Sequence, residues 1–413
     1  MIYFFGDYYQ HNSFGIVSDF ELILLLENNG FNARYLCCQP SCLFNKPIPE
    51  RYSKIFISNE DLPKTLEQDD IIILPDVWQS NPFKSGHVIR WLLNKPMFLT
   101  GKPIKYEDEE IVVAYSKLVK RDLPQLFILR DERALFKSLR STALHDEKTI
   151  SVYFGKIHKK VIDDSYPQLK RILSKYKTIH LITRWVPAER EEALKHIADS
   201  SLLVSFDALT NMNYEATLLG TPVLMMDDTF DIEHSTFNLC NNGLAFKYSG
   251  VKKARIGIDS TFEDYCNWLN HQEQYLLNLF SSLMDKIKEM KDDPDALEKN
   301  KEINNSIYEE DVSEYKKSMN CVPFDAINYP EELPKKIGKL FGVEYKLMDK
   351  NRIKHSLAQI LRKIGLYAIV KKIWTGIKLI WLRIKQAIVW SLRKIGVYPF
   401  IQKYWWKIKK KKP

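Results

Sequence analysis

The chain has 413 residues and a formal net charge of +9, from 61 Lys or Arg against 52 Asp or Glu. The charge is unevenly spread: residues 351–413 hold 17 Lys or Arg and no Asp or Glu, which leaves 44 basic against 52 acidic residues, about −8, in residues 1–350. Basic residues every few positions exclude a membrane-spanning helix in the tail, since a span needs about 18 nearly uncharged apolar residues, and the shortage of polar base-reading side chains among them argues against nucleic acid.

The chain ahead of the tail is long enough for two domains, each burying its own core. Met1–Phe5 is a short apolar run, followed by a polar loop from Gly6 to Gly15 that contains His11. The N-terminal stretch lacks a basic leader and a long apolar run, so no secretory signal is expected. Ile16–Asn28 has helical periodicity and stops at Gly30. Ala33–Cys38 reads as a strand, and Lys54–Ser58 and Ile71–Leu74 read as buried parallel strands because they are continuous and β-rich. His87–Leu93 reads as a helix. This alternation predicts a doubly wound α/β domain over residues 1–145.

The pattern restarts near residue 148. Thr149–Phe154, Thr178–Ile182, Ser201–Phe206 and Pro222–Met226 read as strands, and Tyr166–Tyr176, Glu189–Ala198 and Tyr214–Leu219 as helices. A second α/β domain is therefore expected over 146–321, with charged helix over 262–300 and a Pro-containing strap over 322–350. Two such domains in tandem set the carboxyl ends of two parallel sheets across a cleft, a geometry that suits an enzyme joining two substrates.

The six cysteines are Cys37, Cys38, Cys42, Cys240, Cys266 and Cys321. Their C-C-x3-C cluster has no matching second pair, so free thiols in a reducing compartment are expected rather than a zinc site.

In the tail, Leu361–Tyr367 (LRKIGLY) returns 31 residues later as Leu392–Tyr398 (LRKIGVY). The two copies predict amphipathic helices with breaks at the glycines. Five of the nine Trp lie here among Ile and Leu, and Lys and Arg occupy the other face. Arg362, Lys363, Lys371, Lys372, Trp374, Trp381, Arg393, Lys394, Trp405 and Trp406 suit an anionic membrane surface above hydrocarbon. A basic helix packed on the acidic body is the other reading.

The strongest local pattern is Ser205-Phe206-Asp207-Ala208-Leu209-Thr210-Asn211-Met212-Asn213-Tyr214-Glu215, running on to Gly220-Thr221-Pro222-Val223. A strand ends at Asp207, a polar loop follows, and a helix begins near Asn213. Free N–H groups at such a helix start can meet an anion, and the two carboxylates, eight positions apart, can accept from sugar hydroxyls. Gly155-Lys156 ends the first strand of the second domain, with Lys159 and Lys160 close behind and Arg184 after the next strand. Glycine permits close approach there, and Lys and Arg supply charge for phosphate.

The Asp207–Glu215 stretch resembles the E-x7-E region of GT-B-fold glycosyltransferases, with Asp207 in place of the first Glu and the same G-T-P-V turn after it. The resemblance implies that Asp207 faces the transferred sugar and that Glu215 meets the nucleotide ribose. It implies that the Gly155-Lys156 loop holds the donor diphosphate; Arg184, Thr210 and Asn211 are further candidates for holding the donor. In the first domain, Ile71–Asp76 and Val88-Arg90-Trp91-Leu92-Leu93-Asn94-Pro96 resemble segments of bacterial surface-polysaccharide (O-antigen or capsule-type) glycosyltransferases, with Met97 where that family carries Gly. Asp76 is open to two readings, an acidic group at the reacting centre or a turn cap; Asn81 and His11 are candidates for the acceptor side.

Together these features predict a GT-B glycosyltransferase with two Rossmann-like domains and basic C-terminal helices. It would be cytoplasmic and peripheral on the inner membrane face. A sugar would pass from a nucleotide-sugar donor to a lipid-linked glycan with retention, without metal or other cofactor. A nucleotide-sugar epimerase of similar fold and a non-catalytic membrane-recruited scaffold are the alternatives.

Overall fold

The computed structural model describes residues 1–11, 13–38, 47–83, 86–97, 100, 102–117, 119–155, 167–183, 186–187, 189–207, 210–226 and 243–318. All of them belong to the first of two compact units, Met1–Tyr345 and Lys346–Pro413. The strap and the tail lie outside the described residues.

The first half builds a six-stranded sheet from β1 (Ile2–Gly6), β2 (Ala33–Cys37), β3 (Phe56–Ile57), β4 (Ile71–Pro75), β5 (His87–Leu92) and β6 (Ile111–Ala114). Its strand order is β3-β2-β1-β4-β5-β6 and every pairing is parallel, which is the doubly wound order of a dinucleotide-binding sheet. Ile71–Leu74 and Ile111–Ala114 are buried throughout. That explains their unbroken apolar runs, since helices and loops cover both faces of a parallel sheet. Helix α1 (Phe14–Asn28) follows β1, and a single turn, α2 (Glu50–Ser53), precedes β3. Gly15 already lies inside α1, so the loop after β1 is shorter than its composition implies.

His87–Leu92 is a strand, not a helix. The run is short, β-branched at Val88 and Ile89, and closed by Pro96, all of which favour a strand. Arg90 in its middle invites a surface-helix reading, yet it is 0% exposed. Its Nε and Nη2 donate to the Glu110 carboxylate at 3.2 and 2.6 Å, and Nη1 to Trp78 O at 2.6 Å. Met97 takes φ 72, the left-handed conformation that glycine adopts most easily.

The second sheet comprises β7 (Thr149–Tyr153), β8 (Thr178–Ile182), β9 (Leu203–Ser205), β10 (Val223–Met225) and β11 (Leu244–Ala245). Its order, β11-β10-β9-β7-β8, is again doubly wound and wholly parallel. Helix α3 (Arg133–Thr142) leads into it. A helix over 167–173 (α4), then α5 (Arg190–Ala198) and α6 (Asn211–Leu218), make its crossovers. Gly220, at φ 84, turns the chain into β10.

Three helices follow: α7 (Val251–Gly257), α8 (Ser260–Asp292) and α9 (Pro294–Ser318). The last two return to the first sheet. Asn29, just after α1, donates to Glu273 of α8 at 2.9 Å, and Lys120 pairs with Asp311 of α9 at 2.8 Å. Asn300 and Asn304 each donate to the carbonyl of Glu110 at 2.9 Å, covering the approach to edge strand β6. The buried segment Leu126–Leu129 links the two halves, and α8 supplies its polar partners. Gln272 accepts from Leu129 N at 2.6 Å and donates to Leu129 O at 3.0 Å; Tyr265 donates to Arg130 O at 2.5 Å and accepts from Glu132 N at 2.9 Å. One core cluster runs through both halves, from Phe20 and Trp91 to Leu194, Tyr214 and Phe280. Cys37, Cys38 and Cys266 are free thiols; Cys42, Cys240 and Cys321 lie outside the described residues. No described helix is long and apolar enough to cross a membrane.

Candidate active site

Strand order indicates where a ligand belongs. In a doubly wound sheet, ligands bind beyond the carboxyl ends of the two strands where the order reverses. Those strands are β1 and β4 in the first sheet, β7 and β9 in the second. The chain continues from β1 to His11, from β4 to Asp76 and Asn81, from β7 to Gly155, and from β9 to Asp207. Asp76, Gly155 and Asp207 thus closely follow β4, β7 and β9, while His11 and Asn81 lie further along the loops after β1 and β4.

In the second sheet they touch. Gly155 has φ 35, and a Cβ there would collide with the carboxylate of Asp207 and the ring of Tyr153. Asp207 therefore packs directly on the glycine and is only 2% exposed. Asn213 of α6 donates to Asp207 O at 2.8 Å, and its own buried Oδ1 has no hydrogen-bond partner among the described residues. Thr210 caps α6, its hydroxyl accepting from Met212 N at 3.3 Å and donating to Tyr153 Oη at 3.4 Å. Helix α6 starts at Asn211, two residues earlier than the sequence indicates, because Thr210 supplies a cap. Tyr153, Gly155, Asp207, Thr210 and Asn213 thus form one cluster, and Asn211 opens the helix beside it.

Glu215, one turn along α6, belongs to a different group. It is buried and accepts from Arg190 at 2.5 Å. Arg190 also donates to both oxygens of Glu132, at 2.9 and 2.7 Å. Burial opposes the Arg190 charge, but the two carboxylates outweigh it and raise the pKa of Arg190 above the usual arginine value. Arg130 stands near the same carboxylates, 3.8 Å from Glu132 and 4.0 Å from Glu215. Sequence reasoning overlooks Arg130, Glu132 and Arg190. The one signal for Arg130 and Glu132 is a charged run, Arg130-Asp131-Glu132-Arg133, directly after the apolar Leu126–Leu129.

At the first sheet, Asp76 is buried and accepts from Leu93 N at 3.1 Å, tying the ends of β4 and β5 together. Asn81 accepts from Phe83 N at 3.0 Å within its own turn. His11 is half-buried in the turn before α1. Lys156, Lys159, Lys160 and Arg184 lie outside the described residues, as do all ten tail residues selected for membrane contact. Among the described residues, no three His, Cys, Asp or Glu side chains group to hold a metal ion.

No family model matches the chain. No curated protein matches it either. Among solved structures it is similar to the wall teichoic acid polymerase TagF, at 9% identity and a TM-score of 0.33, over 69% of this chain and 89% of that one. It is also similar to WaaG, a glycosyltransferase involved in lipopolysaccharide biosynthesis, at 9% identity and a TM-score of 0.29, over 70% of this chain and 99% of that one. Similarities of that size add nothing to what the two sheets already establish.

Proposed function

We propose that the chain is a GT-B glycosyltransferase that moves a sugar from a nucleotide-sugar donor to a lipid-linked glycan at the cytoplasmic membrane face, in cell-surface polysaccharide synthesis. The observation that carries this reading is Asp207 packed on Gly155 at the switch point of the second sheet, beside the capped start of α6. A carboxylate there suits the hydroxyls of a bound sugar. The nearby helix start, with Lys156 and Arg184, suits the diphosphate.

In the reaction, the bond between the anomeric carbon and the diphosphate oxygen breaks. The acceptor hydroxyl oxygen bonds to that carbon, and its proton leaves toward the departing phosphate. We assign retention, with no dedicated general base and no metal; positive charge from the protein stabilises the leaving group. The basic, Trp-rich tail would hold the enzyme on the anionic surface where a lipid-linked acceptor resides, raising their effective concentration.

The test is release of nucleoside diphosphate from a panel of nucleotide sugars, with and without acceptor lipid. Asp207→Asn should lower kcat more than donor affinity. Glu215→Ala should weaken donor binding, and because its carboxylate also holds Arg190, the fold of the variant is checked beside its affinity. Donor conversion with no acceptor and no diphosphate release would replace this reading with epimerase chemistry. Wild-type kinetics in both folded variants would remove the site assignment.

A further inference from the structure

Two arginines and two glutamates meet where the two sheets adjoin, and the four are unequally satisfied. Arg190 makes three hydrogen bonds to Glu132 and Glu215. Arg130 approaches the same carboxylates only at 3.8 and 4.0 Å, beyond hydrogen-bond length, and its buried Nε has no hydrogen-bond partner among the described residues. Its side chain is nonetheless just 15% exposed. A guanidinium withdrawn from water needs partners for its donors, because an unmet buried polar group is costly.

Its position is fixed from three sides. The guanidinium carbon lies 5.5 Å from the centre of the Phe14 ring, at the start of α1. Glu215 approaches it from α6. Its own carbonyl is held by the Tyr265 hydroxyl of α8 at 2.5 Å. Phe14 opens the helix after β1, and Glu215 lies in the helix after β9, so Arg130 stands between the two switch points.

We infer that Arg130 is a phosphate-binding residue, its planar fork receiving the phosphoryl oxygens of a diphosphate bound between the two sheets. The fork matches phosphate geometry. More than one negative charge is required, since a single carboxylate brings no more than the two already opposite Arg130. The inference rests on the donor reading for the source of the diphosphate, but not for the site. A nucleotide donor and a diphosphate-bearing acceptor lipid offer the same chemistry.

The experiment uses the full-length protein, Arg130→Gln and Arg130→Lys. Binding is measured for UDP, CDP and GDP, for the matching nucleosides, for inorganic pyrophosphate, and for vesicles carrying a polyprenyl diphosphate. Arg130→Gln should lose about tenfold or more in affinity for the diphosphate probe that binds, with nucleoside affinity unchanged. Arg130→Lys should fall between. In the wild-type protein, the same diphosphate, but not the nucleoside, should protect Arg130 from modification by phenylglyoxal, which keeps the test valid if a variant misfolds. Nucleoside diphosphates, pyrophosphate and the lipid diphosphate all binding wild type and Arg130→Gln alike would overturn the inference and leave the donor reading intact. Loss for pyrophosphate or the lipid diphosphate alone, with no nucleotide binding, would keep Arg130 and remove the nucleotide donor. Equal loss for nucleoside and diphosphate would make the residue structural, and failure of the wild type to bind any phosphate probe would overturn both.

Discussion

At Gly155 the absent side chain is what admits the Asp207 carboxylate. Gly155→Ala would set a methyl group against that carboxylate and the Tyr153 ring, in a backbone conformation that already disfavours a side chain. The variant should fold, bind donor more weakly and lose most turnover; kinetics equal to wild type would show that Asp207 need not sit there. Arg90 makes the complementary case, a charge buried for structure. Glu110→Ala would strand a fully buried guanidinium with Trp78 O as its remaining described partner. It should cost about 3–5 kcal/mol, the range for breaking one side of a buried pair. Denaturant unfolding checks this, and a loss below 1 kcal/mol would mean that the pair contributes little.

At the scale of elements, β8 and α5 carry a pH response. His180 and His196 stack at 4.1 Å with ring planes 15° apart. Burial, then the charge of its neighbour, lowers His180 from 6.5 to about 4; burial also lowers His196, against Glu192 and Asp199. An imidazole depressed in the folded state takes up its proton later than in the unfolded chain. The unfolded state therefore binds more protons between pH 6.5 and about 4, and stability falls as pH falls through that window. Urea midpoints should drop from pH 7 to pH 5, and His180→Gln should flatten the drop; an identical slope in the variant would acquit the pair. Element identity was legible where runs were continuous and β-rich: Thr178–Ile182 is a strand residue for residue. It failed at His87–Leu92, where one arginine imitates a helix surface and only its distant partner Glu110 explains its burial. Gly155, Asp207, Thr210 and Asn211 were legible because each follows a strand or opens a helix, whereas Tyr153 and Asn213 were not, because only the folded chain shows their side chains reaching that cluster. The Arg130–Glu132–Arg190–Glu215 network was not, because its members come from three separate segments and only the folded chain brings them together.

At the scale of the molecule, the proposed function would divide the work between the acidic body and the basic tail. Deleting residues 351–413 should leave donor binding intact and abolish attachment to anionic vesicles; wild-type attachment, drawing about 1 kcal/mol from each basic residue near the surface, should weaken in high salt. Sedimentation with vesicles checks this; equal binding by the truncated protein would reassign the tail. The return of α9 to the first sheet has a consequence in time. Glu110 waits for Asn300, 190 positions away, and Lys120 waits for Asp311, 191 positions away. A ribosome adds about 5–20 residues per second, so the carbonyls of Glu107 and Glu110 emerge roughly 10–40 seconds before the amides that cover them. The first half of the protein is made first and completed last. A ribosome-bound chain halted before Asn300 has been released from the exit tunnel should be cut by protease near Glu107–Glu110, and the finished chain should resist.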